Sequence, residues 1–156
     1  MTLRKLVLFA PFVFILHVLE ELPGFVTWFN ILVPRGINQR TFLSVNAVAL
    51  AITIALVLLV AAWPHAGSGL LLAAWVGFLF IANGLLHLVG TIAHERYSPG
   101  VVTGTLLYLP YGALLLQRIV RDLALKPGVV IGTATLGGIP MLVHGYLIVF
   151  RGSRLF

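Results

Sequence analysis

The sequence predicts an all-α protein, an integral membrane helical bundle of about five transmembrane helices. First, 60% of the residues are hydrophobic and only 9% are charged, whereas soluble domains carry about 25% charged residues. Second, apolar stretches recur at roughly the 20 residues that a bilayer core demands. Third, Lys and Arg lie at the ends of these stretches, where they anchor lipid headgroups. We therefore expect one domain over residues 1–156, located in the cell membrane as a multi-pass protein.

The first predicted span covers approximately residues 3–22. Its start resembles a secretory signal, because Arg4 and Lys5 precede an apolar run. No small-residue cleavage site follows, so we expect a retained helix. Residues 25–40 are too short and too interrupted by proline and glycine to span. We expect an interfacial helix or a re-entrant segment there.

The remaining spans are predicted at approximately residues 41–63, 69–93, 101–124 and 129–150. Pro110 is expected to kink the fourth span. Five spans would place the two termini on opposite sides of the membrane. The basic residues divide equally between the two faces, so the count of positive charges leaves the orientation open.

Charge and cysteine content exclude several classes of function. The net charge is +6, from ten basic and four acidic residues, but no basic stripe interleaved with aromatic residues is present. Nucleic-acid binding is therefore not expected, and membrane lipids are the expected partners. With no cysteine, a metal would need histidine nitrogens and carboxylate oxygens. A nucleotide-binding loop, a nucleophile elbow and an HExxH motif are also missing. The oligomeric state does not follow from the sequence.

Polar side chains within the predicted spans gather near one membrane face. Such groups are costly inside a bilayer, so a common depth on separate helices predicts a shared site. His17 lies three and four residues before Glu20 and Glu21, which places all three on one side of a helix. Asn83 and His87 show the same i,i+4 spacing.

These residue types predict a metal site. The predicted ligands are His17, Glu21, His87 and His144. Glu20 is the predicted catalytic residue, a general base that activates a metal-bound water. The alternative is that the glutamates end a helix at headgroup level while the histidines bond to neighbouring helices. A glutamate at a helix C-terminus opposes the macrodipole, which counts against that alternative.

Further residues are expected to orient the ligands or to cover the site. They are Asn46, Asn83, His94, Tyr97 and Thr103. For His94, a solvated loop end is an equal alternative. The expected cofactor is a divalent metal, with zinc preferred because hydrolysis needs no redox chemistry. Iron or manganese would fit the same donors and would favour an oxygenase.

The sequence resembles the HXXEE family of small membrane proteins. The resemblance rests on HVLEE at residues 17–21, on Asn83-x-x-x-His87, and on Tyr97-Ser98-Pro99-Gly100-x-x-Thr103. These motifs cover most of the chain in the expected order. The family is defined by its motifs, so the resemblance implies a common site and names no reaction.

The predicted function is a metal-dependent integral membrane enzyme, hydrolytic in type, that acts on a lipid or another apolar small molecule. One alternative is a non-enzymatic carrier of metal or protons that uses the His/Glu cluster as a relay. The other alternative is a structural membrane subunit.

Overall fold

The computed structural model describes residues 1–155, which form helices and no strand, so the predicted all-α class is confirmed. We number the helices α1 to α7 in chain order. Their bounds are α1 Leu3–Val7, α2 Ala10–Glu21, α3 Phe25–Leu32, α4 Gln39–Ala62, α5 Ala66–His94, α6 residues 101–122, and α7 Pro127–Arg151.

Local sequence explains where the longer helices begin. The Asn38 side chain accepts a hydrogen bond from the Thr41 backbone and caps α4. His65 and Ser68 form a reciprocal capping box at the start of α5. Both arrangements satisfy N–H groups that a helix start otherwise leaves without partners. Pro127 occupies the first turn of α7, where a missing N–H costs nothing.

Three helices, α4, α5 and α7, are long and apolar enough to cross a membrane. The bent pair formed by Leu3–Glu21 and α3, which meet at 66°, would add a fourth if it counts as one span. The helical bundle is thus confirmed, but the number of candidate spans is lower than the five predicted. The difference lies in α6, whose last two turns carry Gln117, Arg118, Arg121 and Asp122.

Large apolar side chains cover much of the outer surface of the bundle. Leu58, Ile92, Leu106 and Leu136 are between 62% and 72% exposed. Extensive exposure of large apolar side chains is typical of surfaces that contact lipid or a partner. The three candidate spans and this apolar exterior together indicate association with a membrane.

Helices α5 and α7 pack backbone to backbone. A side chain at Gly77 would overlap the Ala134 backbone, and one at Gly137 would overlap the Ala74 backbone. Small residues allow such close approach, which is how helices associate without a hydrophobic driving force between them. Gly90 of α5 meets Val149 of α7 further along both helices, so α5 and α7 run in the same direction.

The direction of the helices gathers the predicted site residues at one end of the bundle. The Leu3 backbone N–H donates to Asp122 at the end of α6. At the opposite end, backbone N–H groups at the start of α6 donate to Glu20. The ends of α2, α5 and α7 and the starts of α4 and α6 therefore lie together. We call this end of the bundle the site end.

Candidate metal centre

Three of the four predicted ligands converge at the site end. His17 and Glu21 lie one turn apart on α2, and His87 faces them from α5. One ligand atom from each lies within 4.8 Å of the other two. Glu21 Oε1 is 3.5 Å from His17 Nε2 and 3.1 Å from His87 Nε2. We call these three residues the His–Glu group, and it could hold a metal ion.

The His–Glu group is buried. His17 is 1% exposed, His87 is 0% exposed and Glu21 is 5% exposed. No Lys or Arg side chain of residues 1–155 forms an ion pair with Glu21. A buried carboxylate needs a partner of positive charge or strong hydrogen-bond donors. The two imidazoles are the side chains that face Glu21, so an imidazole N–H or a bound cation would compensate its charge.

The tautomer of neutral His17 follows from counting protons. His17 Nδ1 lies 2.8 Å from the Thr103 hydroxyl, which donates its only proton to the Glu20 carboxylate. That hydroxyl can only accept from the imidazole, so the ring carries its proton on Nδ1. The Nε2 lone pair then faces the Asn83 amide nitrogen at 3.3 Å and Glu21 Oε1 at 3.5 Å. Metal-binding histidines are commonly oriented in this way by a hydrogen bond to the other ring nitrogen.

His87 is held by a similar contact. Its Nδ1 lies 3.0 Å from the Ser98 hydroxyl, which is fully buried in the loop after α5. Sequence reasoning placed Ser98 in a turn that was expected to cover the site, but it did not predict the contact with His87.

The loop that contains Ser98 lies directly against both imidazoles. Gly100 has a φ of 103°, and a Cβ there would stand 2.8 Å from the His87 ring and 2.9 Å from the His17 ring. Glycine is required both for this backbone conformation and for the close approach. Tyr108 stacks on His17 from α6, with ring centroids 4.0 Å apart. Sequence reasoning missed Tyr108, because it lies among apolar residues in the middle of a predicted span and matches no site motif.

Glu20 points away from the His–Glu group and towards the start of α6. Its carboxylate accepts from the hydroxyls of Tyr97 and Thr103 and from the backbone N–H groups of Gly100, Val102 and Thr103. Five donors are more than enough to fill the acceptor capacity of a carboxylate, which is about four lone-pair sites. They also place a negative charge at a helix N-terminus, where the macrodipole favours it. The predicted role of general base stays a prediction, and the contacts favour a positioning role.

Tyr97 is tied to Glu20 by a bond of 2.6 Å. Because its hydroxyl donates to a carboxylate, the phenolate would face a negative charge, and the pKa of Tyr97 rises to about 12. Of the residues predicted to orient or cover the site, Thr103 contacts His17 directly, whereas Tyr97 is linked to it through Glu20.

The other predicted residues lie around the group. His144, the fourth predicted ligand, is not part of the His–Glu group, and its Nδ1 accepts the backbone N–H of Leu155 at 3.2 Å. Asn83 Nδ2 lies 3.3 Å from His17 Nε2. Asn46 donates to the Phe42 carbonyl of its own helix. His94 Nε2 contacts the Val149 carbonyl and so joins the ends of α5 and α7.

A mostly apolar pocket of about 160 Å³ opens beside the His–Glu group. Glu21, Asn46, Asn83 and His144 contribute polar groups to its wall. Its apolar lining comes from Phe14, Phe25, Phe29, Ile37, Phe42, Val45, Ala49, Phe78, Leu79, Leu86 and Met141. We call this space the aromatic pocket. Such pockets with a few converging polar groups are typical of small-molecule sites.

Two helices change their winding next to the site. α5 contains a π-helical segment at Gly77–Ala82, directly before Asn83. α6 contains another at Gly104–Tyr108, directly after Thr103. Such segments are rare and frequently occur at functional sites.

The fold and the buried group define an all-helical protein with a His/Glu cluster at one end of its bundle. The chain belongs to the family described as "Protein of unknown function with HXXEE motif", whose model matches residues 8–115. It is also 32% identical over 72 residues to "Uncharacterized protein YrkK" of Bacillus subtilis (strain 168), over 42% of this chain. The match covers 46% of that relative, less than half of its length. No solved structure matches the chain.

Proposed function

We propose that this protein is a multi-pass membrane enzyme that binds a divalent metal, zinc in the first instance, through His17, Glu21 and His87. Its substrate would be a lipid or another apolar small molecule, and its reaction a hydrolysis. The apolar exterior and the candidate spans support the membrane location. The aromatic pocket beside Glu21 supports an apolar substrate.

One observation carries the metal proposal. The hydrogen bond to Thr103 leaves neutral His17 with an Nε2 lone pair directed at Glu21 Oε1, 3.5 Å away. The Asn83 amide can donate one hydrogen bond to this lone pair, and a cation between His17 Nε2 and Glu21 would in addition compensate the buried carboxylate charge. The local donor set of two imidazoles and one carboxylate fits zinc in catalytic sites, where a further position stays open. The same set is found with non-haem iron.

The residues of this chain have separate tasks in such a site. A bound zinc ion would supply a Lewis acid and an activated water. Thr103 and Ser98 orient the two imidazoles, and Gly100 keeps the loop close enough to exclude bulk water from them. Asn83 lies next to His17 and lines the aromatic pocket, so it can hold a polar group of the substrate.

A carrier of metal or protons would need a path to the opposite end of the bundle. The interior beyond the His–Glu group is filled by apolar side chains such as Leu72, Val76 and Phe80, each at most 1% exposed. This packing counts against a path within one chain and favours a site that works from one side.

Metal content tests the proposal. Protein purified in detergent without chelators, and offered zinc, iron or manganese in turn, should retain about one equivalent of metal. His17→Ala and His87→Ala should each remove most of it. His94→Ala is the matched control, because it deletes a histidine of the site end that lies outside the group. Metal-free wild type, or equal metal in all four proteins, would contradict the proposal.

A further inference from the structure

The aromatic pocket changes character along its length. Positions 41, 42, 45, 46 and 49 of α4 line one side of it, which corresponds to about 12 Å along the helix at 1.5 Å per residue. At the inner end lie Phe14, Ala49 and Phe78, which are apolar. Asn46, Asn83 and Glu21 follow in the middle, and Thr41 and Arg154 lie at the mouth.

The mouth of the pocket is positively charged. Arg154 also lines two neighbouring surface clefts, and Arg35 lines both of these. Within residues 1–155 neither arginine forms an ion pair, and no acidic side chain lines either cleft. Glu21 is the acidic residue of the aromatic pocket, and it faces the two histidines.

The position of Arg154 is built by the fold. α7 ends at Arg151, and the φ of 57° at the following Gly152 turns the chain back. The Ser153 N–H then donates to the Leu147 carbonyl. His144 next accepts the Leu155 N–H. The turn at Gly152 and the bond from Leu155 to His144 therefore hold the intervening arginine over the pocket, so His144 acts as a positioning residue.

From this order we infer that the pocket binds a single-chain amphiphile with an anionic headgroup, and that this amphiphile is the substrate of the His–Glu group. The alkyl chain occupies the aromatic inner end, the polar linkage lies at the level of Glu21 and Asn83, and the anionic headgroup binds Arg154. The assignment as substrate rests on the proposed function, whereas the choice of ligand rests on the pocket alone.

The test compares three probes with the same acyl chain: lysophosphatidic acid, lysophosphatidylcholine and monoacylglycerol. They are titrated into the whole protein in a neutral detergent, and binding is measured by native mass spectrometry. We expect lysophosphatidic acid to bind about fivefold or more tightly than the other two, because an arginine near a membrane surface contributes about a factor of five towards an anionic lipid.

Matched variants locate the site. Arg154→Gln should remove the preference for the anionic probe, whereas Arg40→Gln, which removes the same charge at the same end but lines neither the pocket nor the clefts, should keep it. Ala49→Phe should shift the preference towards shorter chains, while Ala51→Phe, on the exposed side of α4, should not.

Equal binding of the three probes, or equal effects of Arg154→Gln and Arg40→Gln, would overturn the inference. The proposed function fails separately. His17→Ala should abolish metal binding and release of the acyl chain while leaving lysophosphatidic acid bound. If the protein binds the anionic probe selectively but takes up no metal, the inferred ligand is supported and the proposed enzyme activity is contradicted.

Discussion

The Thr103 hydroxyl links His17 to Glu20, and its removal tests how the site is oriented. Thr103→Val keeps the shape of the side chain but deletes the bond from His17 Nδ1 at 2.8 Å and the bond to the Glu20 carboxylate. One lost bond involves a charged acceptor and the other a neutral pair. Together they should lower the free energy of unfolding by about 3 kcal/mol.

The same change should act on metal binding. Without its acceptor, the His17 ring can rotate or carry its proton on Nε2, the atom directed at Glu21. Loss of such orienting partners weakens metal affinity about 10- to 100-fold in other sites. We expect that loss for Thr103→Val, measured by competition with a chromophoric zinc chelator, and little loss for Thr103→Ser, which keeps the hydroxyl.

Thr105→Val supplies the matched control. Thr105 lies two residues further along α6, and its buried hydroxyl makes no hydrogen bond within residues 1–155. Replacing it should leave metal affinity unchanged and stability equal or slightly higher. If Thr103→Val binds zinc like the wild type, or if Thr103→Ser fails as badly as valine, the proton count that fixes His17 is refuted.

Three further predictions concern residues around the group. Glu20→Gln places an amide donor against N–H donors and should lower the unfolding temperature and expose residues 95–100 to proteases, whereas a pure general base would lose turnover with unfolding unchanged. The Tyr97 phenol should ionise near pH 12, about two pH units above an ordinary tyrosine. Because its folded pKa is raised, the stability that Tyr97 adds is present below pH 10 and fades between pH 10 and 12. Ultraviolet difference titration against Tyr97→Phe measures the midpoint, and an ordinary midpoint would show that the bond to Glu20 is absent. His144→Ala should keep its metal, in contrast to His17→Ala, while weakening selection of the anionic probe; metal loss comparable to that of His17→Ala would restore His144 as a ligand.

The sequence predicted the depth of each residue along the bundle better than the side of the helix from which its side chain projects. His17, Glu21 and His87 were grouped by a common depth and by i,i+4 spacing, and the structure brings them together. His144 lies at a similar depth but belongs to the wall of the pocket, because depth alone does not fix the rotation of α7. Glu20 differs from Glu21 by one residue, or about 100° on a helix. That rotation sends its carboxylate to α6.

Contacts of the loop could not be predicted for a different reason. Ser98, Gly100 and Tyr97 are near each other in the chain, but their partners lie on α2 and α5. The local sequence predicts a turn there, and only the packing of α6 against α2 decides what that turn covers. The structure has three or four candidate spans where the sequence predicts about five, because residues 101–124 combine an apolar stretch with a charged helix end.

The bond between Glu20 and the start of α6 has a consequence for biosynthesis. Glu20 must wait for Gly100, 80 residues later in the chain, before it finds its first backbone donor there. At roughly 5 to 20 residues per second, a ribosome needs about 4 to 16 seconds to deliver that segment. During this interval the end of α2 carries two glutamates without their final partners. The emerging chain therefore depends on water at the membrane surface or on a helper protein until α6 has been synthesised.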